Sequence, residues 1–158
     1  MQKYLMFISL LISLNVMADD DNHQDWRKSG SDETKLNNLV KVIPSTSDIM
    51  FQIGERYKNL YWAAKQSKWE FAEYQLEEIE SEIKTLKITR PKRAKTAEEF
   101  LESSVEDVEK AIKKQDWNRF QTQFENMRKQ CVQCHIKNDH AFIVPVKIPA
   151  KGSSPALD

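Results

Sequence analysis

The chain has 158 residues, with 24 basic and 24 acidic side chains and a formal net charge of zero. This balance gives no electrostatic reason to expect binding to nucleic acid or to an acidic membrane surface. Only three glycines occur, and two of them, Gly30 and Gly152, lie toward the ends of the chain. A turn-rich β fold is therefore not expected.

The first 18 residues are predicted to be a secretory signal peptide. Lys3 supplies a positive charge, residues 4–14 are almost wholly apolar, and Ala18 is a small residue at a suitable cleavage position. The apolar stretch is short for a membrane span, although an uncleaved anchor is the alternative interpretation. Cleavage after residue 18 of 158 leaves 140 residues, which is enough for one domain with a core.

Residues 19–45 are polar and are predicted to form a flexible N-terminal arm, with a short helix at about residues 36–42. Four longer helical segments are expected to follow, because apolar residues recur at helical spacing. The first segment covers about residues 48–66, and its apolar face is formed by Ile49, Ile53, Tyr57, Leu60 and Ala64.

The second segment shows the alternating spacing of three and four residues that is typical of a bundle helix. Its apolar face is formed by Trp69, Ala72, Leu76, Ile79, Ile83 and Leu86. Pro91 is expected to end this helix, because proline cannot continue the helical hydrogen-bond ladder. Thr96 and Glu99 match a capping box and predict the start of the third helix.

Asp116 is expected to cap the fourth helix. Its apolar spacing runs without a break into two cysteines, giving an inward face of Trp117, Phe120, Phe124, Met127, Cys131 and Cys134. Four helices with short connections predict an all-α fold, an antiparallel up-down-up-down four-helix bundle over residues 46–140. Residues 141–158 are expected to form an extended C-terminal tail that wraps one end, with residues 151–158 disordered.

Residues 131–135 read Cys-Val-Gln-Cys-His and match the C-x-x-C-H motif that attaches a c-type haem. In that chemistry the two thiols bond to the haem and the adjacent histidine ligates the iron. Three alternatives are half of a zinc site, for which no further cysteine exists, a redox pair, which normally opens a helix, and a chance match to the motif. We therefore expect one covalent haem c, held by Cys131 and Cys134, with His135 as the proximal iron ligand.

A four-helix bundle with C-x-x-C-H close to its C-terminus resembles the class II c-type cytochromes, the cytochrome c′ family. A second similarity is the segment Met50-Phe51-Gln52-Ile53-Gly54, which resembles that family's M-x-x-I-G segment on the distal side of the haem. The resemblance covers about residues 46–138. The chain differs from many class II members in having Ile136-Lys137-Asn138-Asp139 after the histidine, where they have an aromatic-basic pair.

Met50 is the candidate for the second axial ligand. In an up-down bundle the first helix starts at the end where the fourth helix finishes, so Met50 and His135 can face each other across one haem. Gly54, one turn further on, would leave room for the haem, so it is a candidate cofactor-binding residue. A thioether is a soft ligand that suits this iron. A methionine that only fills space in the core is the open alternative.

Other candidate residues are expected to lie around the haem. Met127, on the same helix as His135, is predicted to pack beside it. His140 is expected in the loop after the fourth helix, where it could bond a haem propionate or remain in solvent, and His23 is expected to be solvent-exposed. The loop of residues 90–95 carries four positive charges that could steer an acidic redox partner or could simply be solvated.

Two functions follow from these predictions. Neither is enzymatic, because a haem enzyme such as a peroxidase would need a general base in the distal pocket, and none is expected there. The first is a periplasmic monohaem cytochrome that transfers electrons; the predicted export fits, because covalent haem is attached outside the bacterial inner membrane. The second, implied by the resemblance, is a five-coordinate haem protein that binds nitric oxide or carbon monoxide. The expected partners are periplasmic redox proteins, a second copy of the chain and a diatomic gas; no nucleic acid is expected.

Overall fold

The computed structural model describes residues 25–152 and 154–158, so the predicted signal peptide lies outside the described residues. Within these ranges the chain forms five α-helices and no strand, which confirms the all-helical prediction. No helix in the described ranges is long and apolar enough to cross a membrane. The helices are α1 (Asp32–Val42), α2 (Thr46–Lys65), α3 (Trp69–Thr89), α4 (Ala94–Lys113) and α5 (Trp117–Lys137).

The described residues divide into two units on either side of residue 41. The first unit contains most of α1, which starts four residues earlier than the short helix predicted at 36–42. Asp32 and Glu33 stand in its first turn and Lys41 in its last turn, so the charges at both ends favour the helix dipole. No residue of α1 is buried.

The second unit begins with a capping box at the start of α2, which the sequence analysis did not predict. The Ser45 hydroxyl accepts a hydrogen bond from the Asp48 backbone N–H at 3.2 Å, and the Asp48 carboxylate accepts one from the Ser45 N–H at 2.9 Å. Hydrogen bonds from the Ser45 side chain and backbone hold the pKa of Asp48 below its usual value. These bonds satisfy two otherwise unpaired groups at the helix start.

The predicted capping box at the start of α4 is wrong. Thr96 lies inside the helix, where its hydroxyl donates to the Arg93 carbonyl at 3.0 Å. Pro91 does end α3, but residues 91–93 then form a single 3₁₀ turn that leads directly into α4 at Ala94. Because the chain is already helical at residue 93, no extended N-cap residue is available for a capping box at Thr96.

Helices α2 to α5 pack mainly against their neighbours in the sequence. Contacts are extensive between α2 and α3, α3 and α4, and α4 and α5, whereas α2 and α5 touch at only a few positions. Ser67 and Gln115 lie in two of the short connections with φ of 59° and 52°, the left-handed conformation that commonly ends a helix. Each of these two connections therefore places the following helix beside the preceding one.

The predicted apolar faces form the core of these four helices. The largest fully buried side chains include Phe120, Phe124, Ile49, Leu60, Ile79, Leu86, Ile112 and Met127. Ile53, Trp69, Trp117 and Cys131 are partly buried and pack against this cluster. The periodic spacing therefore identified the inward faces of α2, α3 and α5 correctly.

The end of the tail contradicts the prediction that residues 151–158 are disordered. Residues 155–157 form a short 3₁₀ helix, and Leu157 is 1% exposed. Gln66, just after α2, donates its side-chain amide to the Leu157 carbonyl at 3.0 Å. Burial of one leucine side chain is worth about 1.5–3 kcal/mol, which favours docking of the short segment that carries it.

The most damaging single core substitution is expected at Phe120, which is 0% exposed. Phe120→Ala should lower the free energy of unfolding by about 3–5 kcal/mol, because it removes a large side chain and leaves a cavity. The matched control is Phe142→Ala, since Phe142 is 81% exposed and should change stability by no more than about 0.5 kcal/mol. Urea unfolding followed by circular dichroism measures both; equal losses would contradict the described core.

Candidate functional site

An apolar cavity of about 300 Å³ opens where α2 and α4 begin and α3 and α5 end. Five residues predicted from the sequence to form the site all line it: Met50, Gly54, Cys131, Cys134 and His135. Met50 and Gly54 come from α2, and the other three come from α5. The structure therefore brings together two segments that are about 80 residues apart in the sequence.

The three α5 residues share one side of the helix because residues three and four apart are neighbours on a helix surface. Cys131 is partly buried against the core, and Cys134 and His135 are half-buried. No disulfide joins these two cysteines. The last two turns of α5 thus present two thiols and an imidazole to the same space.

The environment of Cys131 bears on the alternative of a redox-active thiol pair. Burial, with a smaller effect of the neighbouring Cys134, raises the pKa of Cys131 to about 12. Redox-active cysteines instead have a lowered pKa, commonly at a helix N-terminus. Cys131 stands near the C-terminal end of α5 and keeps its proton at neutral pH, so the redox-pair interpretation is not favoured.

Gly54 faces open space. A Cβ atom added to this residue would meet no other atom within 4 Å, although the residue is half-buried. The space beside it belongs to the cavity that Gly54 lines. A side chain at this position would extend into that cavity, so glycine leaves volume available to a flat ligand.

His135 is held by a hydrogen bond that the sequence analysis missed. Its Nδ1 lies 2.8 Å from the Ile143 backbone carbonyl. A carbonyl can only accept, so the proton of the neutral imidazole is on Nδ1 and the lone pair is on Nε2. This is the form in which a histidine binds a metal through Nε2.

Two other predicted residues, Met127 and His140, are not among the residues that line the cavity. Met127 is 1% exposed within the core. His140 lies in the turn after α5, where its Nδ1 is 2.5 Å from the Asn138 carbonyl and its ring stacks on Phe142. His23 lies outside the described residues.

Ile53, Tyr57 and Lys58 of α2 also line the cavity, and further parts of its wall come from residues that were not assigned to the site from the sequence. Ile83 and Phe100 contribute from α3 and α4, and residues 143–146 and 149 contribute from the tail. The tail was predicted to wrap one end of the helices, but not to form part of the site. One sequence signal could have identified the tail as part of the site. This is the apolar run from Phe142 to Val146, since the end of the chain is otherwise polar.

A second cavity, of about 600 Å³, lies on the polar surface close to the first. It is bordered by residues 89–93, by Thr46 and by residues 137–139, directly after His135. Within the described ranges, Lys92 and Arg93 form no ion pair, whereas Lys137 pairs with Glu99 at 2.7 Å. The basic loop predicted as a candidate partner surface is therefore next to the end of α5.

The donor set of the apolar cavity is chemically distinctive. Two thiols, an imidazole and a thioether are soft or borderline donors, which suit iron, copper or zinc rather than magnesium or calcium. The surrounding walls are almost wholly apolar, which suits a large hydrophobic cofactor. Comparison of the chain with protein-family models, with curated proteins and with solved structures found no match.

Proposed function

We propose that the chain is an exported monohaem c-type cytochrome that transfers electrons in the periplasm. Cys131 and Cys134 hold one haem c covalently, and His135 is its proximal iron ligand. The observation that carries this proposal is that the complete C-x-x-C-H motif lines an apolar cavity together with Met50 and Gly54. The resemblance to the class II c-type cytochromes supports the covalent haem and its proximal histidine, whereas for the function it implies the gas-binding alternative.

The finer topology belongs to the same proposal. Short connections and packing between consecutive helices support an antiparallel up-down-up-down four-helix bundle with the haem at one end. The cavity is bordered by the starts of α2 and α4 and the ends of α3 and α5. In an alternating bundle these four termini lie at the same end, so the site and the topology are consistent.

The residues present fit a haem. The cavity is apolar, Gly54 leaves it unobstructed, and the thiols are three residues apart on one helix face. When bound, the haem supplies an iron that cycles between the ferric and ferrous states. Thioether bonds at Cys131 and Cys134 keep the cofactor in place, His135 offers Nε2 to the metal, and the apolar walls exclude water.

Met50 decides between the two candidate functions. It lines the cavity from α2, while His135 lines it from α5, which supports a Met–His pair of axial ligands. Such a pair keeps similar geometry in both oxidation states and favours electron transfer with little rearrangement. If Met50 only packs, one axial position is open, and the apolar walls, including Ile83 and Phe100, favour binding of neutral nitric oxide or carbon monoxide.

The test compares two conservative substitutions of similar volume, which disturb packing little. Met50→Leu removes the thioether from the cavity, whereas Met127→Leu changes a buried core methionine outside it. We expect Met50→Leu to lose the weak far-red charge-transfer band of ferric Met–His haem and to bind carbon monoxide at least about tenfold faster, and Met127→Leu to behave as wild type. A high-spin wild type that binds carbon monoxide at once would instead establish the gas-binding function.

The partners proposed for electron transfer are acidic periplasmic redox proteins. Lys92 and Arg93 stand beside the end of α5 without carboxylate partners in the described ranges. Uncompensated positive charge near a redox cofactor raises the association rate with an acidic partner and makes that rate depend on salt. A second copy of the chain is retained as a further candidate partner, and nucleic acid is not.

A further inference from the structure

The C-terminal tail occupies the one open side of the four packed helices. Neighbouring helices pack along their lengths, but α2 and α5 touch at only a few positions. Residues 142–149, here named the C-terminal strap, hydrogen-bond to side chains of both α2 and α5. Several strap residues also line the apolar cavity. The strap therefore bridges the gap between these two helices and forms the outer wall of the site.

Two aromatic side chains of α2 anchor the strap. The Tyr57 hydroxyl donates to the Val146 carbonyl at 2.8 Å, and the Trp62 indole N–H donates to the Pro149 carbonyl at 2.9 Å. Burial raises the pKa of Tyr57 well above its ordinary value, so the phenol remains a neutral donor. The Tyr57 ring stacks on Phe124 with ring centres 4.4 Å apart, and the partly buried Trp62 ring meets Tyr61 edge-on with ring centres 5.8 Å apart.

Two side chains of α5 hold the other edge of the strap. The Arg128 guanidinium donates to the Pro145 carbonyl at 3.2 Å, and two hydrogen bonds to Glu125 at 2.7 and 2.8 Å keep it oriented. His135 donates from Nδ1 to the Ile143 carbonyl. One of the four anchors is thus the histidine proposed to ligate the iron.

Burial holds the strap at Pro149, which is buried, and contributes less along the rest of it. The outward side chains are largely exposed, with Phe142 at 81%, Val146 at 60% and Ile148 at 66%, so the apolar area removed from water is small. The strap has no regular secondary structure, and its carbonyls depend on side-chain donors. Loss of a few donors should therefore release the strap without unfolding the helices.

We propose that the strap positions the proximal ligand: through the Ile143 carbonyl it fixes the orientation and tautomer of His135, with Tyr57, Trp62 and Arg128 holding the strap in register. The inference rests on the proposed function, because it assigns a role to the strap only if His135 binds the haem iron. A hydrogen bond from Nδ1 makes a ligating histidine a stronger electron donor, which favours the ferric state. Release of the strap should consequently raise the reduction potential.

The test uses the full-length holoprotein and the double variant Tyr57→Phe/Trp62→Phe, which removes both α2 donors while retaining two aromatic rings. The matched control is Tyr61→Phe: Tyr61 is also buried in the core and contacts Trp62, but no hydrogen bond joins it to residues 142–149. Three quantities are measured: the rate of tryptic cleavage after Lys147, the reduction potential, and the iron–histidine stretching frequency of the ferrous protein. The frequency is read with Met50→Leu added to each protein, because this band is visible only in five-coordinate high-spin ferrous haem.

In the double variant we expect cleavage after Lys147 to be about tenfold faster, as the loss of two hydrogen bonds predicts. We also expect a higher reduction potential and a lower iron–histidine frequency, with all three quantities unchanged in Tyr61→Phe. Unchanged cleavage would overturn the anchoring role. Faster cleavage with an unchanged potential and frequency would overturn the positioning of His135 while leaving the haem assignment intact. A wild type without covalent haem would overturn both the proposed function and this inference.

Discussion

Replacement of Cys131 and Cys134 by serine together should abolish covalent haem attachment. The exported double variant is expected to show no haem stain on a denaturing gel, and any retained haem should be extractable with acidified acetone. Without the cofactor the apolar cavity of about 300 Å³ is unfilled. Because this cavity is not enclosed, its apolar walls would then meet water, which disfavours the folded state in proportion to the apolar area exposed. The helical circular dichroism signal should therefore fall sharply.

Two controls separate attachment from folding. Each single variant, Cys131→Ser or Cys134→Ser, retains one thiol and should keep one covalent bond, so haem stain should persist at a reduced level. A version that lacks residues 1–18 should accumulate as apoprotein, because its cysteines and the haem no longer meet in the periplasm. Haem stain that survives denaturation in the double-serine variant would refute the attachment site.

The second large effect is expected on removal of the proximal ligand. His135→Ala should leave haem attached through Cys131 and Cys134, because those bonds do not involve the imidazole. The Soret and visible bands should shift, because the iron loses a strong-field ligand on that side. Reduction potential and thermal stability should also change, since the Nδ1 bond to the Ile143 carbonyl, 2.8 Å long, is lost with the ring.

His140→Ala is the matched control for this substitution. His140 follows His135 by five residues, but its ring bonds to the backbone of its own turn and stacks on Phe142. We expect the absorption spectrum of His140→Ala to equal that of wild type. The reverse result, an unaltered spectrum in His135→Ala and a shifted one in His140→Ala, would assign the proximal ligand to His140.

The sequence predicted the helices well because their signals are local. Apolar residues at spacings of three and four identified the buried faces of α2, α3 and α5, and Phe120 and Phe124 are fully or almost fully buried as expected. The same spacing placed Cys131 and Cys134 on the inward side of α5. The position of Met50 near His135 was also predicted correctly, since both now line one cavity; ligation by Met50 remains a prediction.

Element boundaries were predicted less well. The prediction of a capping box at Thr96 was wrong, because a motif of four residues does not show whether the chain before it is already helical. Pro91 ends one helix but also begins the 3₁₀ turn that leads into α4, so α4 starts two residues before Thr96. At α2 the true capping box, Ser45 with Asp48, matches the same kind of motif but uses aspartate in place of glutamate or glutamine.

The sequence by itself determined the all-helical architecture, the inward faces of the helices and the cavity-facing positions of Cys131, Cys134 and His135, because each depends on residues a few positions apart. Only the tertiary structure decided how the tail is used. The Tyr57 bond to Val146 joins residues 89 positions apart, and the Trp62 bond to Pro149 joins residues 87 positions apart. Such bonds produce no periodic pattern in the sequence, because a backbone carbonyl can accept a hydrogen bond whatever side chain its residue carries. Whether a polar side chain finds that carbonyl depends on how the helices pack.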